Sequence, residues 1–384
     1  MKKVIAFVKK EVVLCAAAVL AIISAFLVPP DAAYTDYIDW RTLAILFCLM
    51  AVMAGLRKIG VFHSIAEGLL AKAGSVRSVM MVLVMLCFFS SMIITNDVAL
   101  ITFVPLTITV LKMMGNEHYT GLLIPVIVMQ TIAANLGSML TPIGNPQNLY
   151  LYGQSGMGFG SFILLMLPYC LLSLAGLIVW ILIKGRRCTR KDPSGCVIKS
   201  SEGFTPGGKN TIRLAAYLLM FVLCLLTVVR VVPWWIVLII IVLAVIATDF
   251  RILGKVDYCL LLTFAGFFIF IGNMGRIPAV HDFIAGIVAG REVITSVVSS
   301  QVISNVPAAL LLSGFTDNYT GLITGTNLGG LGTIIASMAS LISFKYAAAE
   351  PGVSKGKYLL HFTIANVVFL AGLLIMWLVI GQTA

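Results

Sequence analysis

One acidic side chain stands where an acid is hard to keep. Asp97 follows Ile94-Thr95-Asn96 within an otherwise apolar stretch running from about residue 78 to 111. An ionisable group at membrane depth costs free energy and marks an ion or proton pathway. Asp97 could ligate Na+ through oxygen or carry a coupled proton. The same carboxylate could instead cap the N-terminus of the helix that follows, which needs no transport chemistry. Asp249 and Asp257 fall near helix ends, so Asp97 is the one acid expected in the membrane core.

Three further polar stretches accompany it at membrane depth. They are Gly137-Ser138-Met139-Leu140-Thr141-Pro142-Ile143-Gly144-Asn145-Pro146-Gln147-Asn148, Ser304-Asn305-Val306-Pro307, and Gly329-Gly330-Leu331-Gly332-Thr333-Ile334-Ile335-Ala336-Ser337. Lipid cannot satisfy non-helical backbone, so such breaks persist only when buried in protein or lining a watery cavity. A broken helix presents N–H groups at one new end and C=O groups at the other. The first suit an anion, the second a cation. Pro142, Pro146 and Pro307 remove backbone donors and help end helices. A lone glycine would be read as a packing kink, but four such clusters point to a binding site. The candidate substrate- and ion-binding residues are Thr95, Asn96, Asp97, Gly137, Ser138, Thr141, Pro142, Gly144, Asn145, Pro146, Asn148, Ser304, Asn305, Pro307, Gly329, Gly330, Thr333 and Ser337. A Na+ ion is placed near Asn96, Asp97 and Gly144. No catalytic residue is assigned, and no cofactor is implied beyond the coupling ion, Na+ or H+.

The elements that must position these residues are membrane helices. Of 384 residues, 60% are hydrophobic and 11% charged, against about 25% charged in soluble domains. Apolar runs lie near 11–30, 40–56, 78–94, 97–111, 119–140, 159–183, 213–232, 234–249, 256–274, 319–344 and 358–381. Several reach the roughly 20 residues that span a bilayer as a helix. The prediction is an all-α polytopic membrane protein, and secreted and cytosolic classes are excluded. The run at 11–30 reads as an uncleaved helix, since it is long and ends in Pro29-Pro30 without a small-residue cleavage pair.

Charge sets the expected orientation. Place the N-terminus in the cytoplasm. Read 78–111 as a re-entrant hairpin broken at Thr95-Asn96-Asp97, and 291–315 as a second one broken at Ser304-Asn305-Val306-Pro307. Then only Arg41, Arg230, Arg276 and Arg291 of the 26 Lys and Arg residues fall outside. The expected topology has about nine full crossings plus two hairpins, each crossing near the length of a spanning helix. The C-terminus lies outside, and the membrane is a bacterial cytoplasmic (inner) membrane. The net charge of +11 is then a feature of the cytoplasmic membrane surface and predicts no nucleic-acid partner. The eight cysteines contain no C-x-x-C pair, so neither a disulfide nor a metal site is expected.

The chain also repeats itself. Asp39-Trp40 matches Asp257-Tyr258, and at that spacing His63 falls on His281 and Gly68 on Gly286. Ser90-Ser91-Met92-Ile93-Ile94-Thr95-Asn96 matches Ser299-Ser300-Gln301-Val302-Ile303-Ser304-Asn305. Asn135-Leu136-Gly137 matches Asn327-Leu328-Gly329, and Thr141 falls on Thr333. In the expected topology 40–56 and 256–274 run in opposite directions, so the repeats are inverted. The segments are 1–35, an extra N-terminal transmembrane helix; 36–184, the first repeat; 185–212, a cytoplasmic linker; 213–255, connecting transmembrane helices; and 256–384, the second repeat. Each repeat has a re-entrant helical hairpin and a broken transmembrane helix. Inverted repeats with discontinuous helices are the architecture of secondary transporters. Val306 is the repeat mate of Asp97, so one cation or proton site is expected, in the first half. His63 and His281 are expected at the membrane interface in structural roles.

These motifs resemble the ion transporter superfamily: Thr-Asn-Asp at a hairpin tip, Thr-Pro-Ile-Gly-Asn-Pro-Gln-Asn after it, and Ser-Asn-x-Pro with a second Gly-rich break in the other half. That superfamily includes divalent anion/sodium symporters, citrate-transporter-like permeases, arsenite-efflux permeases and NhaD-type sodium/proton antiporters. The resemblance runs from about residue 36 to 381. It implies that Thr95, Asn96 and Asp97 form the first tip, and Ser304 and Asn305 the second, with Val306 replacing a threonine. The broken-helix loops would be Gly137 to Asn148 and Gly329 to Ser337. The resemblance further implies a transport domain moving as an elevator against a scaffold, a homodimer in the lipid bilayer, and a small anionic substrate. The expected function is secondary active transport of a small anion, a carboxylate or inorganic oxyanion, coupled to H+ or Na+. A sodium/proton antiporter of NhaD type and an arsenite-type efflux permease are the alternatives.

Enzymatic readings are weaker. Gly153-Gln154-Ser155-Gly156 spells the G-x-S-G of rhomboid-type proteases, but that chemistry needs a histidine within reach of the serine. His361 lies near a predicted helix start on the opposite face, and His63 and His281 look interfacial. No Walker-type phosphate loop occurs, which disfavours a primary pump, and inverted repeats suit alternating access better than a channel.

Overall fold

The computed structural model describes residues 11–186 and 207–383, so most of the expected 185–212 linker lies outside the described residues. Among these residues there is no strand. The helices in chain order are α1 (Val12–Leu27), α2 (Tyr34–Tyr37), α3 (Trp40–Lys58), α4 (Val61–Leu70), α5 (Val76–Ile94), α6 (Asn96–Met113), α7 (Asn116–Ser138), α8 (Pro146–Ser155), α9 (Phe159–Arg186), α10 (Gly208–Val228) and α11 (Trp234–Asp249). A 3-10 turn at Phe250–Lys255 leads to α12 (Tyr258–Gly275), α13 (Pro278–Val288), α14 (Glu292–Ile303), α15 (Asn305–Ser313), α16 (Tyr319–Gly329), α17 (Met338–Ala349) and α18 (Lys355–Thr383). Nine of the described helices are long and apolar enough to cross a membrane. The all-α polytopic reading therefore stands.

Several boundaries differ from the sequence reading. The run at 11–30 yields a helix of only 16 residues, stopped before Pro29-Pro30. The run at 319–344 is broken where the Gly329–Ser337 stretch predicts, into two helices with residues 330–337 between them. Helices α5 and α6, with 19 and 18 residues, are each long enough to cross a bilayer alone. Their counterparts α14 and α15 have 12 and 9. The turn between α13 and α14 bends the chain by 106°.

Local chemistry explains where the helices begin. Asp39 caps α3 by accepting from Thr42 N at 2.9 Å, and Asp257 caps α12 by accepting from Leu260 N at 3.0 Å. Each satisfies an orphan donor of a first turn. Ser75 caps α5 and Asn318 caps α16 in the same way. Pro146 and Pro278 open α8 and α13, where a missing N–H costs nothing.

The order of elements from α3 to α9 recurs from α12 to α18. Helix α7 is the most enclosed candidate span, with 78% of its apolar window buried, whereas α18 at 11% faces outward. The polar breaks thus lie at the centre, behind apolar walls. Helix α1 packs along α12, with Ala17 against Gly266. Asn273 donates to Ser24 at 2.9 Å and to the Tyr34 hydroxyl at 2.8 Å, and Arg276 pairs with Asp31 at 2.7 Å. Tyr217 of α10 lies over the bare face of α3 at Gly55.

Candidate functional site

Two single residues break the central helix pairs. Thr95 has φ 69° and ψ 150°, and Ser304 has φ 75° and ψ 154°. That region belongs almost entirely to glycine, and a side chain there costs about 1–3 kcal/mol. The surrounding structure holds both. Asn96 N donates to Gly144 O at 3.2 Å, and Asn305 N donates to Ala336 O at 2.9 Å. Each break is thereby tied to the broken-helix loop of its own half.

The asparagines then link the two halves. Asn135 Oδ1 accepts from Asn96 Nδ2 at 3.0 Å and from Ser337 Oγ at 3.0 Å, while Asn135 Nδ2 donates to Gly330 O at 3.5 Å. Asn327 Nδ2 donates to Asn148 Oδ1 at 2.7 Å. Inside the first loop, Asn145 donates to Ser138 Oγ at 2.7 Å, and Asn148 donates to Thr141 O at 3.3 Å. Thr141 donates to Met92 O, and Thr333 donates to Gln301 O at 3.0 Å. Met92 and Gln301 occupy matching places.

Between the two breaks lies a cleft of about 10 Å³, lined by Asn96, Asp97, Asn145, Pro146, Gln147, Leu260, Asn305, Val306, Ser337 and Met338. That is room for about one water-sized particle. Among the described residues, Asp97 Oδ1, both polar atoms of the Gln147 side chain, and Asn327 Oδ1 are buried without a partner. Asp97 makes no capping bond; instead Asn96 Oδ1 accepts from its backbone N–H at 2.9 Å. A buried acceptor left unpaired costs free energy, which suits a side chain kept for a ligand better than one kept for capping.

Asp97 also lines a neighbouring cavity of about 250 Å³, together with Thr95, Asn145, Pro146, Arg57, Lys255 and Asp257 among others. The structure therefore brings Thr95, Asn96, Asp97, Asn145, Pro146, Asn305 and Ser337 to the two cavities. Gly137, Ser138, Thr141, Gly144, Asn148, Gly329, Gly330 and Thr333 form the layer that shapes them. Pro142 and Pro307 are buried but line neither cavity.

Sequence reasoning missed four residues. Gln147 stood within a quoted motif but was not chosen. Gln301 was quoted as the mate of Met92, and that change from apolar to polar was the available signal. Arg57 and Lys255 were assigned to the membrane surface, because the runs beside them were ended too early to bring them to the cavity. Ser155 donates to Tyr152 O at 3.1 Å and accepts from Met157 N at 3.3 Å, closing the end of α8. His63 pairs with Glu67 at 3.4 Å, and half-buried His281 lies beside Asp282 and the Phe315 ring.

Apolar helices enclosing a polar centre of broken helices define a multi-pass membrane transporter. The profile described as Citrate transporter matches residues 3–318, and the chain belongs to that family. It is 31% identical over 345 residues to an uncharacterized transporter of Methanocaldococcus jannaschii, covering 88% of both chains. It is 31% identical over 316 residues to the inner membrane protein YbiR of Escherichia coli, covering 81% of this chain and 80% of that one. A shorter match, 32% over 142 residues, links it to the magnetosome protein MamN of Paramagnetospirillum magneticum, covering 37% and 31%.

Proposed function

We propose that this transporter moves a small anion, a carboxylate or inorganic oxyanion, by secondary active transport coupled to Na+ or H+. The unpartnered Oδ1 of Asp97, a residue lining a cleft of about 10 Å³ between two matched breaks, carries this reading. Oxygen ligands suit a hard cation. Asp97 Oδ1 and Gln147 Oε1 are free acceptors there. The cleft takes a Na+ ion, or Asp97 takes a proton, and the adjoining cavity of about 250 Å³ takes the anion. Citrate is the first substrate to try, since the family's description names it.

The recurrence of α3–α9 in α12–α18 supports two inverted repeats, each with a hairpin and a broken helix. Elevator-type alternating access, a homodimer and a bacterial inner membrane with the N-terminus cytoplasmic complete the proposal. The cleft's small size and its single acid favour a second reading, a sodium/proton antiporter of NhaD type, in which Asp97 is the exchange site. An arsenite-type efflux permease is the third.

A thermal-shift screen of the purified protein separates these readings. Mono-, di- and tricarboxylates, sulfate, phosphate and arsenite are tested with and without Na+ at fixed ionic strength. A ligand that binds only the folded state raises its apparent stability by mass action. Stabilisation by one anion, enhanced by Na+ or by lower pH, is the expected result. Stabilisation by Na+ or Li+ alone, stronger at high pH, overturns anion transport in favour of antiport.

A further inference from the structure

A cavity of about 580 Å³ lies beside the candidate site. Its polar lining includes Arg57, Lys58, His63, Asn210, Arg213 and Asp249. Most of this charge is engaged. Lys58 pairs with Asp249, Arg213 stands near the same carboxylate, and His63 pairs with Glu67. Arg57 differs: it is half-buried, and within the described residues its side chain makes no ion pair and no hydrogen bond.

Arg57 also lines the 250 Å³ cavity that holds Asp97, and Ile101 is shared by both cavities as well. Arg57 therefore lines both an adjoining vestibule and the inner site. Its guanidinium offers five donors in a rigid fork matched to carboxylates and oxyanions. The other charged groups lining the inner cavity are Asp97, Lys255 and Asp257. Low-dielectric walls focus such a charge and concentrate anions before it.

We infer that Arg57 is a specificity-determining anion station: a carboxylate or oxyanion arriving through the vestibule docks on its guanidinium before reaching the breaks at Asn96 and Asn305. This rests on the anion-transport reading and identifies the residue that selects for negative charge.

The test titrates wild type, Arg57→Gln and Arg57→Lys, each in nanodiscs, with citrate, sulfate and phosphate at fixed ionic strength, following thermal unfolding. Arsenite, uncharged at pH 7, is the neutral comparison. The anion that stabilises wild type is expected to bind Arg57→Gln about 10- to 100-fold more weakly, the scale of a charge-assisted hydrogen bond. Arg57→Lys should fall between, since an ammonium keeps the charge but not the fork. Unliganded unfolding temperatures should match. If Arg57→Gln fails to fold, Arg57→Lys carries the test, with about a tenfold loss expected. Wild-type affinity in the folded variants overturns the assignment of Arg57 alone. A wild-type protein that no anion stabilises overturns anion transport itself, and the station with it.

Discussion

The two halves share a backbone but not a chemistry. Thr95 and Ser304 adopt the same strained conformation, and the following asparagines reach the same place in their loops. Past that point they diverge. In the second half Gln301 stitches the loop shut: its Nε2 donates to Gly329 O at 3.1 Å and Leu331 O at 2.9 Å, and its Oε1 accepts from Thr333 N at 2.8 Å. In the first half Met92 occupies that place and cannot do the same. There Asp97 and Gln147 keep free acceptors, whereas Val306 replaces Asp97 in the second half. In the second half Gln301 closes the loop, whereas in the first half acceptors stay unpaired, as the proposed single ion site would require.

The sharpest way to break this contrast is at its one acid. Asp97→Asn should abolish ion-coupled transport in proteoliposomes while the protein still folds, and Val306→Ala should leave coupling intact. Coupled flux in Asp97→Asn at the wild-type rate would remove Asp97 from the mechanism. Next comes the stitch. Gln301→Leu orphans the buried carbonyls of Gly329 and Leu331 and should destabilise by about 2–6 kcal/mol, from about 1–3 for each. Met92→Leu should cost less than about 1.5 kcal/mol. Chemical denaturation of the two variants measures the gap, and equal losses would erase it.

A smaller effect is expected at the loops' closest approach. A Cβ on Gly144 would sit 2.1 Å from Ser138 O, while the matching Ala336 already carries a methyl group. Gly144→Ala should lose about 1–3 kcal/mol, read as a lower unfolding temperature, and Ala336→Gly should lose less. Smallest is a pH effect outside the membrane. Glu350 pairs with Lys112 at 2.6 Å and accepts from the Tyr119 hydroxyl. Burial pushes its carboxyl up, but these two partners outweigh burial and hold it below the usual 4.5. Its contribution to stability is therefore present above the unfolded value and lost as pH falls through the lower folded one. Unfolding temperature should decline on acidification in that window, and Glu350→Gln should flatten the decline.

The transmembrane character was fully legible, because hydropathy needs only composition along the chain. The breaks were legible because Gly, Pro and Asn at membrane depth have few uses, and Asp97 because it is the single acid there. Long-range pairings were not. That Asn135 serves both Asn96 and Ser337 depends on how two helices meet, which no local pattern encodes. Helix lengths were misjudged because hydropathy alone does not mark where a helix stops, as at 11–30, which yields a helix of only 16 residues ending at Leu27. Arg57 was lost to the same cause: charge reads as surface, although a long side chain at a helix end can reach a cavity.

Asn135 offers one carbonyl oxygen to two donors from opposite halves. Neither donor can withdraw without leaving the other a stronger claim on that oxygen. Under the proposed function, an ion that drew Asn96 toward Asp97 would therefore be sensed at Ser337, a residue distant in the chain, through one amide. The centre would then report its occupancy as a unit, and a vibrational label on Ser337 is expected to register a cation held by the other half.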